Sequence, residues 1–257
     1  MKGVVAFLLV LCYLASSDAW TCKVGPRLNY AQQIDAGNGL VVARDRYYPY
    51  FLVGASWYRL STIRTKHVSV GGAGLWAVDT SSRVHKYVAG YFKQASGLSM
   101  HQVDAGGDDQ LVGASTKWFG QCLRSSVACA YRGVGSLSWT NLGRRLKYYS
   151  CSVNKGCWGI DTSNRVYYAQ SVNADSCKTS GWRLINGSMV MVEVDSKGRV
   201  FGVTTRGTVY ERIGITSSKP YGTSWRVIPM CMAIKHVSFD LGKLWAVTTS
   251  GLVLTCV

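Results

Sequence analysis

Acid is scarce in this sequence: 13 aspartates and glutamates stand against 29 lysines and arginines, a formal net charge of +16 over 257 residues. Proline is scarcer still, at four. No two of the nine cysteines form a C-x-x-C pair, which removes the usual zinc spacings. No long 3.6-residue apolar period runs through the chain, so a helical solenoid is excluded. The positive charge is not gathered into a polybasic tail or a basic amphipathic helix; its tightest cluster is Arg144, Arg145 and Lys147. A field spread in this way favours anionic surfaces in a salt-dependent manner: phosphorylated lipids, sulfated or sialylated glycans, acidic proteins. Beyond residue 14 nothing is apolar and long enough to cross a bilayer as a helix.

The one apolar run, residues 4–14, follows Lys2 and precedes the small residues of Ser17-Asp18-Ala19. That is the pattern of a secretory signal peptide over residues 1–19, cut ahead of Trp20, which leaves residues 20–257 as a single secreted, extracellular domain. Export makes nucleic acid a poor partner for the charge. Cys12 departs with the leader, and eight cysteines remain, an even number that reads as disulfides in a secreted chain. Asn186-Gly187-Ser188 is the only N-glycosylation sequon, so Asn186 is expected to carry a glycan.

What the chain has in abundance is itself. Lys66-His67-Val68-Ser69 returns as Lys235-His236-Val237-Ser238, and each leads without a gap into Leu75-Trp76-Ala77-Val78 or Leu244-Trp245-Ala246-Val247. Weaker copies follow the same plan. A polar residue interrupts an apolar step at Asp35, Ser69, Asp104, Ser150, Glu193 and Ser238. Aromatic openers stand at Trp57, Phe92, Trp139, Trp182 and Trp225. Within each unit apolar and polar positions alternate, β-branched and aromatic types dominate, and glycine turns punctuate the runs. Units of about 40 residues are what a four-stranded blade needs, so six of them predict an all-β, six-bladed propeller. A ring must close, and Cys22 and Cys256, at the two ends of the mature chain, are placed to lock the junction. The near pairs Cys122–Cys129 and Cys151–Cys157 read as local hairpin staples, which leaves Cys177 for Cys231.

The units, of the form W-x-x-[ILV]-x-G followed by K-x-V-S-V-G, LWAV-D/T-T-S and V-x-x-Y, resemble tectonin repeats. From about Cys22 to Cys256 the chain resembles the fish-egg lectins, secreted tectonin propellers. Ile34-Asp35-Ala36-Gly37, Gln102-Val103-Asp104-Ala105-Gly106-Gly107-Asp108 and Lys235-His236-Val237-Ser238-Phe239-Asp240-Leu241-Gly242 carry the match. The resemblance implies a lectin for N-acetylglucosamine and related microbial glycans, lipopolysaccharide and chitin-like oligomers among them. It also implies a role in innate recognition and agglutination of microbes, with no enzymatic activity.

Sugars need aromatic faces for their apolar sides and a few fixed hydrogen-bonding groups. The segment after the second strand of several repeats supplies such groups: Asp79, Thr80 and Arg83; Asp161, Thr162 and Arg165; Thr204 and Arg206; Thr248. Tyr87, Tyr167 and Tyr210 follow and complete the candidate ligand-binding set. The competing reading is that Asp and Thr build the turn itself. Trp76, Trp158 and Trp245 read as packing between blades. Four histidines without an acid and a nucleophile in register make no triad. Asp35, Asp104 and Glu193 share one repeat position, and two such carboxylates are the minimum for a glycosidase. The chain lacks the Ser-x-Asp-x-Gly-x-Thr-Trp boxes of hydrolytic sialidase propellers. No catalytic residue, metal site or cofactor is expected, although Asp108-Asp109 is a conceivable calcium ligand pair without any EF-hand pattern. Three readings stand at this point: a lectin, a glycosidase, and a cation that binds acidic proteins or lipids by charge alone.

Overall fold

The computed structural model describes residues 20–153, 155–170 and 172–257; the expected signal peptide lies outside them. Each repeat contributes one antiparallel sheet of four strands, and there are six such sheets. Their innermost strands are Gln33–Gly37, Thr65–Gly71, Met100–Asp104, Tyr148–Ser152, Met191–Val194 and Ile234–Asp240. Contacts run from each innermost strand to the next and from the last back to the first, which closes the six-bladed ring.

The two-residue period of a strand explains how the ring is filled. Ile34, Val68, Val103, Tyr149, Val192 and Val237, one per blade, are entirely buried between blades. Side chains of this kind stabilise by roughly 1.5–3 kcal/mol each when buried. Their sequence neighbours Asp35, Ser69, Asp104, Ser150, Glu193 and Ser238 turn the other way, toward the axis. Trp76 packs with Val103 and Leu111 of the following blade, Trp158 with Val192 and Phe201, and Trp245 with Ile34 and Ala43. The second-strand tryptophans are therefore the wedges between blades.

The aromatic openers belong elsewhere than the repeat suggests. Trp57, Phe92 and Trp225 lie on the outermost strands Ser56–Arg59, Tyr91–Ala95 and Ser224–Ile228, and Trp139 and Trp182 stand just ahead of Thr140–Arg145 and Arg183–Ser188. They finish one blade and do not begin the next. The sixth blade takes its outermost strand, Cys22–Val24, from the start of the chain and its other three from the end. Cys22 pairs opposite Cys256 and is bonded to it. Thr21 and Val257 exchange N–H···O bonds of 2.8 and 3.1 Å beside that junction.

The disulfide pattern corrects two of the four expected pairs. Cys151–Cys157 does staple a hairpin. Cys122, however, is bonded to Cys177, and Cys129 is a free thiol. Cys122 is buried on the third strand of its blade, within the apolar cluster it shares with the fourth blade. Cys129 instead sits on a helix, Ser125–Ala130, in a 124–139 insertion that the strand pattern did not predict. Proximity in sequence misled here: the insertion carries Cys129 away, and Cys177 reaches across the blade seam instead.

Close approach of neighbouring inner strands fixes two glycines. A Cβ on Gly71 would lie 2.2 Å from the carbonyl oxygen of Ala105, and one on Gly37 2.4 Å from that of Val70. Gly71→Ala must push two blades apart, and its expected cost is about 1–3 kcal/mol. A urea midpoint equal to wild type would contradict this.

Candidate functional site

Four antiparallel strands reverse direction three times, so the turns between second and third strands share one face of the ring with the connectors between blades. All the candidate ligand-binding loops lie on that face. Their construction is the same in each blade. At the end of the second strand an acceptor side chain takes backbone N–H groups of the turn. Asp79 Oδ1 accepts from Arg83 N at 2.8 Å, and Asp161 Oδ1 from Ser163 N and Arg165 N at 2.9 Å each. Thr204 Oγ1 accepts from Thr208 N at 3.2 Å, and Thr248 Oγ1 from Leu252 N at 2.9 Å. Asp45 and Ser115, which the sequence did not single out, do the same for Tyr47, Tyr48 and Phe119. A polar residue at this one register in all six repeats was the available signal.

The turns also tie the ring together. The carbonyl oxygens of Tyr47, Ser82, Trp118, Asn164, Gly207 and Gly251 each accept an N–H at the entry to the next blade's inner strand, at 2.7–3.2 Å. Ser82, Trp118, Asn164, Gly207 and Gly251 hold φ of +64 to +89° to do so. The loops are thus rigid, and rigidity lowers the ordering cost of binding.

This leaves a clear division of labour among the candidate residues. Asp79, Asp161 and Thr248 are buried and Thr204 is half-buried; all four face inward to the turn. Burial pushes the Asp79 carboxyl up, but the bonds from the Arg83 backbone, His85 and the Arg83 guanidinium outweigh it and hold the group below its usual range. Asp161 is likewise held down, against burial, by the backbone and guanidinium of Arg165 and by Ser163 N. Thr80, Arg83, Thr162, Arg165 and Arg206 point to solvent. Arg83 and Arg165 are clamped by ion pairs of 2.6 and 2.7 Å to their aspartates, which aims their remaining N–H groups outward. The tyrosines do not join these tips. Tyr167 is 4% exposed, with the Arg144 guanidinium 3.9 Å above its ring. Tyr87 and Tyr210 are half-buried on third strands, Tyr87 edge-on to Phe92. The loops are repeated around the ring and do not converge on one cavity.

The axis is a separate construction. Asp35 Oδ2 accepts from Val70 N at 2.7 Å, and Asp104 Oδ1 from Cys151 N at 3.0 Å, each reaching into the next blade. Ser69, Ser150 and Ser238 answer by accepting Ala105 N, Val194 N and Ala36 N. Tyr148 donates to Glu193 Oε1 at 2.6 Å and meets His236 Nε2 at 2.9 Å. Burial, and then the charge of Asp35, pushes Asp104 up to about 7; burial followed by Asp35 and Asp104 raises Glu193 well above the usual range. The axial cavity beside them measures about 20 Å³, room for one water molecule. These carboxylates are mortar between blades. Among the described residues no three metal-ligating side chains converge, around Asp108-Asp109 or elsewhere. Asn186 is exposed on the strand Arg183–Ser188, not in a turn, and its carbonyl accepts the Trp225 indole N–H at 2.7 Å.

Six radial sheets around an axis define a β-propeller, and solved propellers agree: a gluconolactonase from Xanthomonas campestris superposes with a TM-score of 0.65 at 11% identity, over 95% of this chain and 92% of that one. That likeness concerns the fold alone. Residues 30–249 match the tectonin domain, and the chain belongs to the tectonin family. It is 37% identical to a fish-egg lectin of Cyprinus carpio over 158 residues, 61% of this chain and 66% of the lectin, just under two thirds of its length. It is 22% identical to the perivitellin-2 31 kDa subunit of Pomacea maculata over 97% of this chain and 93% of that one.

Proposed function

We propose that the protein is a secreted lectin that binds N-acetylglucosamine-containing and microbial glycans, lipopolysaccharide among them, and agglutinates their bearers without cleaving them. The observation that carries this reading is the repetition, on one face of a rigid ring, of turn tips that present Thr80 and Arg83, Thr162 and Arg165, and Arg206 to solvent. Arg46, Arg64 and Lys117 stand on the same face, so anionic glycans gain an additional, screenable attraction. Removal of residues 1–19 and a glycan on the exposed Asn186 belong to the same reading, as do the disulfides, which suit an oxidising compartment. The name of the carp relative supports a lectin, and the small axial cavity at Asp35, Asp104 and Glu193 favours it over a glycosidase.

Competition on immobilised lipopolysaccharide tests it. Free N-acetylglucosamine and 0.5–1 M salt, about the range where screening reaches a few ångströms, should each release part of the bound protein and together nearly all. Complete release by salt with none by sugar would replace the lectin by a charge-driven binder. Appearance of cleaved glycan would restore the glycosidase.

A further inference from the structure

The face opposite the turn tips carries a groove of a different kind, and the elements that break the repeat build it. It lies between the third and fourth blades and encloses about 470 Å³, within the ~300–1,000 Å³ of small-ligand clefts. One wall is the turn between the first two strands of the third blade, which brings Asp108 and Gln110. The other is the segment 172–175, ahead of the fourth blade's outermost strand, which brings Asn173 and Asp175. That segment is held in place. The disulfide Cys122–Cys177 ties it to the third blade. At the head of the inserted helix Ser125 N donates to Ala174 O at 2.9 Å and Ser125 Oγ to Asp175 Oδ1 at 2.7 Å. Asn173 Oδ1 accepts from Asp175 N at 3.1 Å and from Ser176 N at 2.8 Å. A wall fixed in advance lowers the ordering cost of a ligand.

The lining runs against the charge of the chain. Asp108 and Asp175 are two of only 13 acidic residues, and none of the 29 lysines and arginines lines the groove. Gln110 lines it at 1% exposure, and its Oε1 meets no hydrogen-bond donor among the described residues. A buried acceptor without a donor is unfavourable, and a ligand that brings an N–H to it relieves that cost. The charged and the neutral acceptors therefore favour the same partner, a cation that donates hydrogen bonds. A bare metal ion fits less well. Calcium takes about 6–8 oxygens in one shell, whereas among the described residues no three metal-ligating side chains converge.

We infer that this groove binds an aliphatic diamine or polyamine. Each alkylammonium group carries N–H donors on every side and no acceptor. Asp108 and Asp175 belong to different blades, so two ammonium groups joined by a methylene chain answer both. The chain lies along Val172 and Ala174, and an N–H turned inward is met by Gln110 Oε1. The protein's net positive charge repels such a ligand at long range. At about 0.15 M ionic strength, however, a Debye length of ~8 Å confines the balance to nearby groups. The site is independent of the glycan reading, whose residues stand on the other face.

The test titrates spermidine into the full chain, disulfides intact, at about 0.15 M salt, and follows the heat of binding and the side-chain amide resonances of Gln110. Wild type should bind, and the Gln110 amide should shift as it does. Asp175→Asn removes the charge but keeps an oxygen for Ser125 Oγ. It should weaken spermidine by about tenfold at an unchanged Tm, the scale of one charge-assisted hydrogen bond. Asp109→Asn, exposed and outside the lining, is the control of equal charge and should bind as wild type does. Equal losses in the two variants would reduce the effect to diffuse attraction and overturn the site. Absence of binding to wild type, or binding that leaves the Gln110 amide unmoved, would overturn it as well. Displacement of spermidine by calcium at equal concentration would make the groove a metal site and sink the polyamine.

Discussion

Replacing Cys22 and Cys256 by serine should lower the stability of the propeller by about 5 kcal/mol. The bond spans 234 residues, and the loop-entropy relation gives roughly this figure for a closure of that length. For a chain of this size such a loss corresponds to about 10–20 °C in Tm. The strand Cys22–Val24 keeps its pairing with Val253–Cys256, so the blades themselves should persist and far-ultraviolet dichroism should change little at low temperature. A Tm within ~2 °C of wild type would mean that the strand pairing alone closes the ring. Removing Cys151–Cys157, which closes only six residues, should cost less.

The second large effect lies on the axis and depends on pH. Asp104 is raised from 3.8 to about 7 by burial and by Asp35, so the folded protein holds a proton that the unfolded chain has given up. The stability contributed by this group is complete below pH 3.8 and is lost as pH rises through about 7. His67 and His236 run the other way. Burial, then for His67 the charge of His236 and for His236 that of Arg44, depresses both, His236 to about 3. Their contribution is complete above 6.5 and is lost as pH falls. Between pH 4 and 6.5 the two trends oppose each other; above 6.5 the carboxylates act alone. Asp104→Asn keeps an acceptor oxygen for Cys151 N while removing the titration. It should therefore flatten the decline between pH 6.5 and 8, with a gain on the order of 3 kcal/mol at pH 8, and steepen the loss on the acid side. A variant whose pH profile runs parallel to wild type would show that Asp104 does not titrate in this range.

The architecture was legible because it is periodic. Asp35, Ser69, Asp104, Ser150, Glu193 and Ser238 occupy one register in the sequence and one ring in space, and period-two alternation puts Ile34 and Val68 between blades for the same reason. Cys22 and Cys256 followed from closure. What departed from the period was not legible. The insertion 124–139 belongs to one blade only, and it carries the helix and the free Cys129. The proposed ligand loops are turns in the structure, but Asp79 and Asp161 serve the turn while Thr80 and Arg83 face outward, a distinction that depends on which oxygen meets which N–H. Tyr167 follows the loop in sequence yet lies on a strand beneath Arg144, since three residues past a tight turn the chain is already inside a sheet.

The central claim is that near-copies of one surface around a ring hold glycans together. It is tested most directly by comparing the Kd for free N-acetylglucosamine or chitobiose with the apparent Kd on a surface densely coated with the same sugar, at salt high enough to screen charge. Sites that are weak singly but fixed on one face should gain about a hundredfold or more from simultaneous engagement. Equal affinity for the free and the clustered sugar would contradict it.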